Sequence, residues 1–216
     1  MQWQANIPER QDGAWRVERY TVSVDEARRG MLLSAVKGRG RSVPEGTYTR
    51  LMRGGTLVMS DTPDEARDHY EAVRRATGEC LVFGLGLGLV VEAMLQKPEV
   101  TGVTVVERAP EVIALVAPTL WERWGTRLVV VEGDAMAHRM PRGAGRGPHF
   151  GVVWADIWDY ICADNLTEMT PLRRYWRPRA AWMDCWARAQ CRDMQRAWAR
   201  ERQAYSSLFR ARGAAC

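Results

Sequence analysis

The feature that most restricts the fold of this 216-residue chain is a short apolar run that enters a glycine-rich turn. Cys80-Leu81-Val82-Phe83 leads directly into Gly84-Leu85-Gly86-Leu87-Gly88, and a helical pattern over 87–96 stops before Pro98. A strand that turns at once into a helix needs residues without a Cβ, which tolerate left-handed backbone and close approach. The pattern then continues. β-Branched Val103-Thr104-Val105-Val106 predicts a second strand, and residues 110–116 a helix. Strands are predicted at 127–131 and 150–154, a helix at 165–176, and a last strand at 180–183 before an Arg-rich helix.

Near-continuous apolar strands alternating with amphipathic helices predict an α/β fold, a Rossmann-like parallel sheet with helices on both faces. A small β-rich region precedes it. Residues 15–24 alternate large apolar and polar side chains, the period of a half-buried strand. Shorter strands are expected at 31–36, 47–52 and 56–59, punctuated by Gly30, by the turn between Gly38 and Gly46, and by Gly54-Gly55. A helix is expected from Ser60 or Asp61 to about Ala76, with Pro63, Asp64 and Glu65 in its first turn. The expected organisation is a β-rich region plus helix over 1–78, a nucleotide-binding domain over 79–184, and an Arg/Trp-rich helical tail over 185–216. Arg142 to Pro148 is expected to be a flexible surface loop.

Composition narrows the setting. No eighteen-residue apolar stretch occurs, so no membrane span is expected, and the polar start lacks a signal core. Five cysteines form no CxxC pair and three histidines lie far apart in sequence. Neither a metal nor a disulfide framework is expected, and a reducing cytoplasm is the natural setting. The net charge is +5, yet the segment from Thr170 onward holds eleven arginines against Asp184, Asp193 and Glu201. That basic, Trp-containing tail can contact nucleic acid or another acidic partner, or form a solvated helix face. Trp176, Trp182, Trp186 and Trp198 suggest a buried face in a homodimer.

Four sites carry candidate chemistry. The glycines Gly84, Gly86 and Gly88 let backbone approach a ligand, or simply make a tight turn. Glu107, at the end of the second strand, can accept hydrogen bonds from ribose hydroxyls or cap the helix before Pro110. Asp134, just past the third strand, can meet an adenine amino group or cap the next helix. Asp156 and Asp159, at the tip of the fourth strand, can bind an amine and take its proton. Trp154 and Trp158 beside them offer faces to a cation or pack internally.

In this order the four sites resemble the class I S-adenosylmethionine-dependent methyltransferase fold, and look most like spermidine synthase and the polyamine aminopropyltransferases. Val82 is apolar where methyltransferases usually carry an acid. Residues 57–71 resemble the strand and helix that lead into the nucleotide-binding strand of the aminopropyltransferases, and Asp156 and Asp159 match their D-x-x-D motif. The likeness covers roughly residues 50 to 160. It implies that Glu107 holds ribose, Gly84 to Gly88 the amino-acid end of the cofactor, and Asp134 the adenine. Asp156 is then the base for the acceptor, and Asp159 helps to hold it. The chain departs at Leu87, where that family has an acid, at Tyr160, where it has proline, and at Met59, where it has glutamine. The implied function is transfer from S-adenosylmethionine to an acceptor, a small molecule in the first instance. Aminopropyl transfer from decarboxylated S-adenosylmethionine, a non-catalytic binding module and a nicotinamide-dependent oxidoreductase are the alternatives.

Overall fold

The computed structural model describes residues 3–37, 42–143, 147 and 149–213. Residues 144–146 and 148 of the loop expected at 142–148, and residues 38–41 of the turn expected at 38–46, lie outside the described residues. The chain begins with a four-stranded antiparallel sheet of β1 (Arg10–Asp12), β2 (Trp15–Val22), β3 (Gly46–Arg53) and β4 (Thr56–Ser60), in sequential order. Helix α1 (Val24–Lys37) joins β2 to β3, and Gly54-Gly55 turns β3 into β4.

Helix α1 corrects the strand expected at 31–36. Ser23 and Glu26 form a reciprocal cap: the Ser23 amide donates to Glu26 Oε2 at 2.8 Å, and the Glu26 amide to Ser23 Oγ at 3.3 Å. This capping box fixes a helix start, and the helix then runs through Met31-Leu32-Leu33. Those side chains do not join the core; Met31 is 63% exposed.

After α2 (Pro63–Arg75) come β5 (Gly78–Phe83), α3 (Leu89–Leu95), β6 (Val100–Glu107), α4 (Pro110–Trp124) and β7 (Leu128–Glu132). They are followed by β8 (Phe150–Ala155), α5 (Leu166–Trp176), β9 (Ala180–Cys185) and α6 (Arg188–Gly213). β5 to β9 form one parallel sheet in the order β7-β6-β5-β8-β9, as the strand and helix alternation predicts. Successive residues of β5 feed opposite faces. Cys80 and Val82 pack against α2, α3 and α4, whereas Leu81 and Phe83 pack against Met169, Leu172 and Trp176 of α5. Ala5, Ile7, Val17 and Leu51 bring the N-terminal segment and sheet into the first of these cores.

Asp61 secures that junction. It is 4% exposed, and its carboxylate accepts the Thr49 amide at 2.7 Å and the Ala5 amide at 3.0 Å. Thr49 Oγ1 donates in turn to the Ala5 carbonyl at 3.1 Å. Burial raises the Asp61 pKa despite these hydrogen bonds. Replacing Asp61 by Ala leaves two buried amides without acceptors, a loss expected to be about 2–4 kcal/mol in urea unfolding. A loss below 0.5 kcal/mol would refute the junction.

Candidate active site

The chain leaves β5 toward β6 and β7 on one side, then returns to the other side of β5 as β8. The strand order therefore reverses between β5 and β8, and crevices outside the carboxyl ends of strands at such a point bind ligands. A cleft of about 250 Å³ opens there. Gly84, Gly86, Glu107, Asp134, Asp156 and Asp159 all line it. Gly88 does not line it. It caps α3 at φ +76°, and a Cβ there would lie 2.6 Å from Leu120 Cδ1.

The glycine turn is held by the protein itself. Gly84 has φ +93°, and a Cβ would stand 2.1 Å from the Asp156 carbonyl oxygen. Its amide donates to Val106 O at 2.9 Å, and the Asp156 amide donates to Phe83 O at 2.8 Å. Over Gly86 lies the Met59 thioether, 2.2 Å from where a Cβ would be. Met59 Sδ also accepts the Leu87 amide at 3.0 Å. Leu87 is 1% exposed, and Met59 of β4 covers this side of the loop.

Both oxygens of Glu107 face backbone donors: Oε2 accepts the Leu85 amide at 2.8 Å, and Oε1 the Ala109 amide at 2.8 Å. A carboxylate oxygen takes more than one hydrogen bond, so this fixes Glu107 while leaving acceptor capacity. Asp134 Oδ1 accepts the Met136 amide at 2.8 Å, and the Asp134 carbonyl accepts the amides of Ala137 and His138. These bonds form a turn over 134–138 where a helix is the alternative expectation, and Asp134 lines the cleft.

Asp156 lines the cleft with its side chain 23% exposed, and its pKa is pushed up to about 7. Burial is the main cause, followed by the negative charges of Glu65 and Asp68 on α2. His69, also on α2 and 2% exposed, places Nε2 3.6 Å from Asp156 Oδ2. The imidazole stacks on Trp3 with ring centres 6.5 Å apart, and meets the edge of Trp154 at 6.0 Å. Asp159 Oδ2 accepts a hydrogen bond from Arg53 Nη2 of β3 at 2.6 Å, an ion pair at the cleft.

The tryptophans separate by position. Trp158 lines the cleft and donates to Glu168 Oε2 at 2.8 Å. Trp154 is 5% exposed and stacks on Trp182 at 6.0 Å, so it offers no face to a ligand. Trp176 is fully buried, and half-buried Trp186 donates to Asp68 at 2.9 Å. Sequence reasoning missed His69, Arg53 and Trp15 as cleft residues. For His69 the signal was present: Glu65, His69, Ala72 and Val73 recur at helical spacing, placing a titratable group on the core-facing stripe of α2. Arg53 and Trp15 arrive from a separate sheet, which no local pattern could announce.

No family model and no curated protein matches the chain. Among solved structures it is similar to a dimethyladenosine transferase from Plasmodium falciparum, at 21% identity over 50% of this chain and 37% of that one, with TM-score 0.37. It is similar to the N-methyltransferase NodS from Bradyrhizobium japonicum, at 19% identity over 55% and 64% of the two chains, with TM-score 0.41. A third is a phosphoethanolamine N-methyltransferase from Haemonchus contortus in complex with phosphoethanolamine and S-adenosylhomocysteine. That match has 12% identity over 55% and 23%, with TM-score 0.42. The chain spans about a third of the length of the first of these and less than two thirds of each.

The raised Asp156 pKa has a stability consequence with a definite sign. The folded protein prefers the neutral acid, so the group's contribution is full below its unfolded pKa of 3.8 and is lost as pH rises through about 7. Asp156→Asn is therefore expected to stabilise the fold at pH 8 by on the order of 2–4 kcal/mol, with the gain shrinking toward pH 4. Urea unfolding of both proteins across that range tests it; a difference that does not change with pH contradicts the assignment.

Proposed function

We propose that the chain is an S-adenosylmethionine-dependent transferase of the spermidine synthase-like group, transferring a methyl group to a small-molecule acceptor. The observation that carries this reading is the charge of the cleft at the glycine turn. Glu107, Asp134, Asp156, Asp159 and Glu168 line it against only Arg53 and Arg108. A site of that sign favours a cationic sulfonium and repels the pyrophosphate of a nicotinamide dinucleotide. The donor set also suits a nucleoside: Glu107 retains acceptor capacity for ribose hydroxyls, Asp134 for an adenine amino group, and Ala135 and Val112 offer apolar surface.

S-adenosylmethionine, when bound, supplies a carbon made electrophilic by its attachment to a positively charged sulfur. The protein then has to align an acceptor and manage one proton. Asp156 is suited to that proton because its pKa is close to neutrality. His69 is a positioning residue, holding the carboxylate from the buried side. Arg53 and Asp159 tie the N-terminal sheet across the cleft mouth. Leu87 and the overlying Met59 favour methyl over aminopropyl transfer, since no acid on the loop is available to bind a free amine.

Side-by-side calorimetry with S-adenosylmethionine, its decarboxylated analogue and NAD tests the reading. The expected order is S-adenosylmethionine tightest and NAD without measurable binding. Preference for the decarboxylated form would assign aminopropyl transfer, and NAD binding alone would replace the proposal with an oxidoreductase. Met59→Ala frees the Leu87 amide and is expected to tighten S-adenosylmethionine binding roughly three- to tenfold. With an acceptor identified, turnover is expected to rise with pH through about 7. Asp156→Asn should lower it on the order of 100-fold without weakening cofactor binding; unchanged turnover in that variant would point to a non-catalytic module.

A further inference from the structure

Helix α6 runs beside α5, and a groove of about 1130 Å³ lies between them. The face of α6 that lines it carries Arg188, Arg192, Gln195, Trp198, Arg202 and Tyr205, separated by three or four residues each. That spacing makes one continuous stripe along a helix. A helix packed for stability places Leu, Ile and Val on such a stripe. Here the stripe is cationic and aromatic, and Trp198 and Tyr205 are 44% and 66% exposed.

The opposite wall adds Arg173 and Arg174 from α5. Against five arginines the groove offers two lining acids, Asp164 and Glu201. Asp184, outside the groove lining, is shared by two of its arginines: it accepts hydrogen bonds from Arg188 and stands 3.7 Å from Arg173 Nε. One carboxylate therefore faces two guanidinium groups. Burial, then the neighbouring Arg188, lowers the pKa of Arg173, as expected where positive charge is in excess. Arg174 and Arg177 carry the positive rim around the end of α5. Trp198 and Tyr205 are seven residues apart, about 10 Å along the axis.

We propose that this groove binds single-stranded nucleic acid, with the arginines neutralising phosphates and Trp198 and Tyr205 stacking on unpaired bases. Paired bases hide the faces that exposed aromatic rings need, so a duplex fits the surface less well. The groove and the acidic cleft lie on different sides of α5: Glu168 lines the cleft, whereas Thr167 and Thr170 line the groove. Binding in the groove is therefore independent of the transferase reading and is measured without it.

Fluorescence anisotropy on the full chain tests this with labelled 12-nucleotide oligouridylate, oligothymidylate and a 12-base-pair duplex. Single strands are expected to bind at least tenfold tighter than the duplex. The logarithm of affinity should fall with the logarithm of salt at about 0.7 per phosphate contacted. A preference between the ribose and deoxyribose strands identifies the natural sugar within the proposal. The double variant Arg174→Glu, Arg192→Glu should lose tenfold or more in affinity and flatten the salt dependence. Trp198→Ala with Tyr205→Ala should lose at least tenfold while keeping the slope. All four positions are exposed, and a thermal melt verifies that each variant folds. Affinity unmoved by either pair, or a preference for duplex, overturns the proposal. So does light scattering that shows a dimer which the aromatic variant dissociates, since the groove would then be a contact between copies.

Discussion

Everything in the acidic cleft depends on how closely the chain leaving β5 passes the chain leaving β8. At Gly84 the separation is too small for any side chain, because a Cβ would meet the Asp156 carbonyl oxygen at 2.1 Å. The contact is reinforced on both sides, with Gly84 donating to Val106 and Asp156 donating to Phe83. This lock sets the Asp156 carboxylate over the strand ends, against the acidic face of α2, and so generates its raised pKa. A looser turn would let water reach the carboxylate from behind and remove the main cause of the shift.

The parallel sheet was legible in the sequence because its signals are local. β5, β6, β7 and β8 each contain a run of β-branched or aliphatic residues, and helices follow between them, whereas β9 (AAWMDC) carries a weaker signal. The glycine turn marked the site for the same reason, and the cleft is lined by Gly84, Gly86, Glu107, Asp134, Asp156 and Asp159. What escaped lay in tertiary context. Gly88 reads like its neighbours in the motif, yet it lies outside the cleft lining and close to Leu120. The ion pair of Asp159 with Arg53 joins positions far apart in sequence. The 31–36 error had a different origin: an apolar triplet outweighed the Ser23-to-Glu26 cap that starts α1.

The molecule divides its charge rather than spreading it. The cleft at the carboxyl edge of the sheet is acidic, whereas the groove between α5 and α6 is basic, and α5 stands between them. Opposite fields on the two sides of one helix can hold a cationic group and a polyanion without direct competition. The net charge of +5 conceals this arrangement, because the two regions partly cancel in the sum.

The central position of β5, covered on one face by Val82 and its neighbours and on the other by Phe83, bears on how the protein opens. A strand enclosed by two cores exposes its amides to deuterium only when both cores come apart. The cleft floor is therefore expected to exchange more slowly than α1, whose Met31, Leu32 and Val36 are exposed. Breathing at the periphery leaves the strand ends in register, and the rim keeps its shape until the whole domain unfolds.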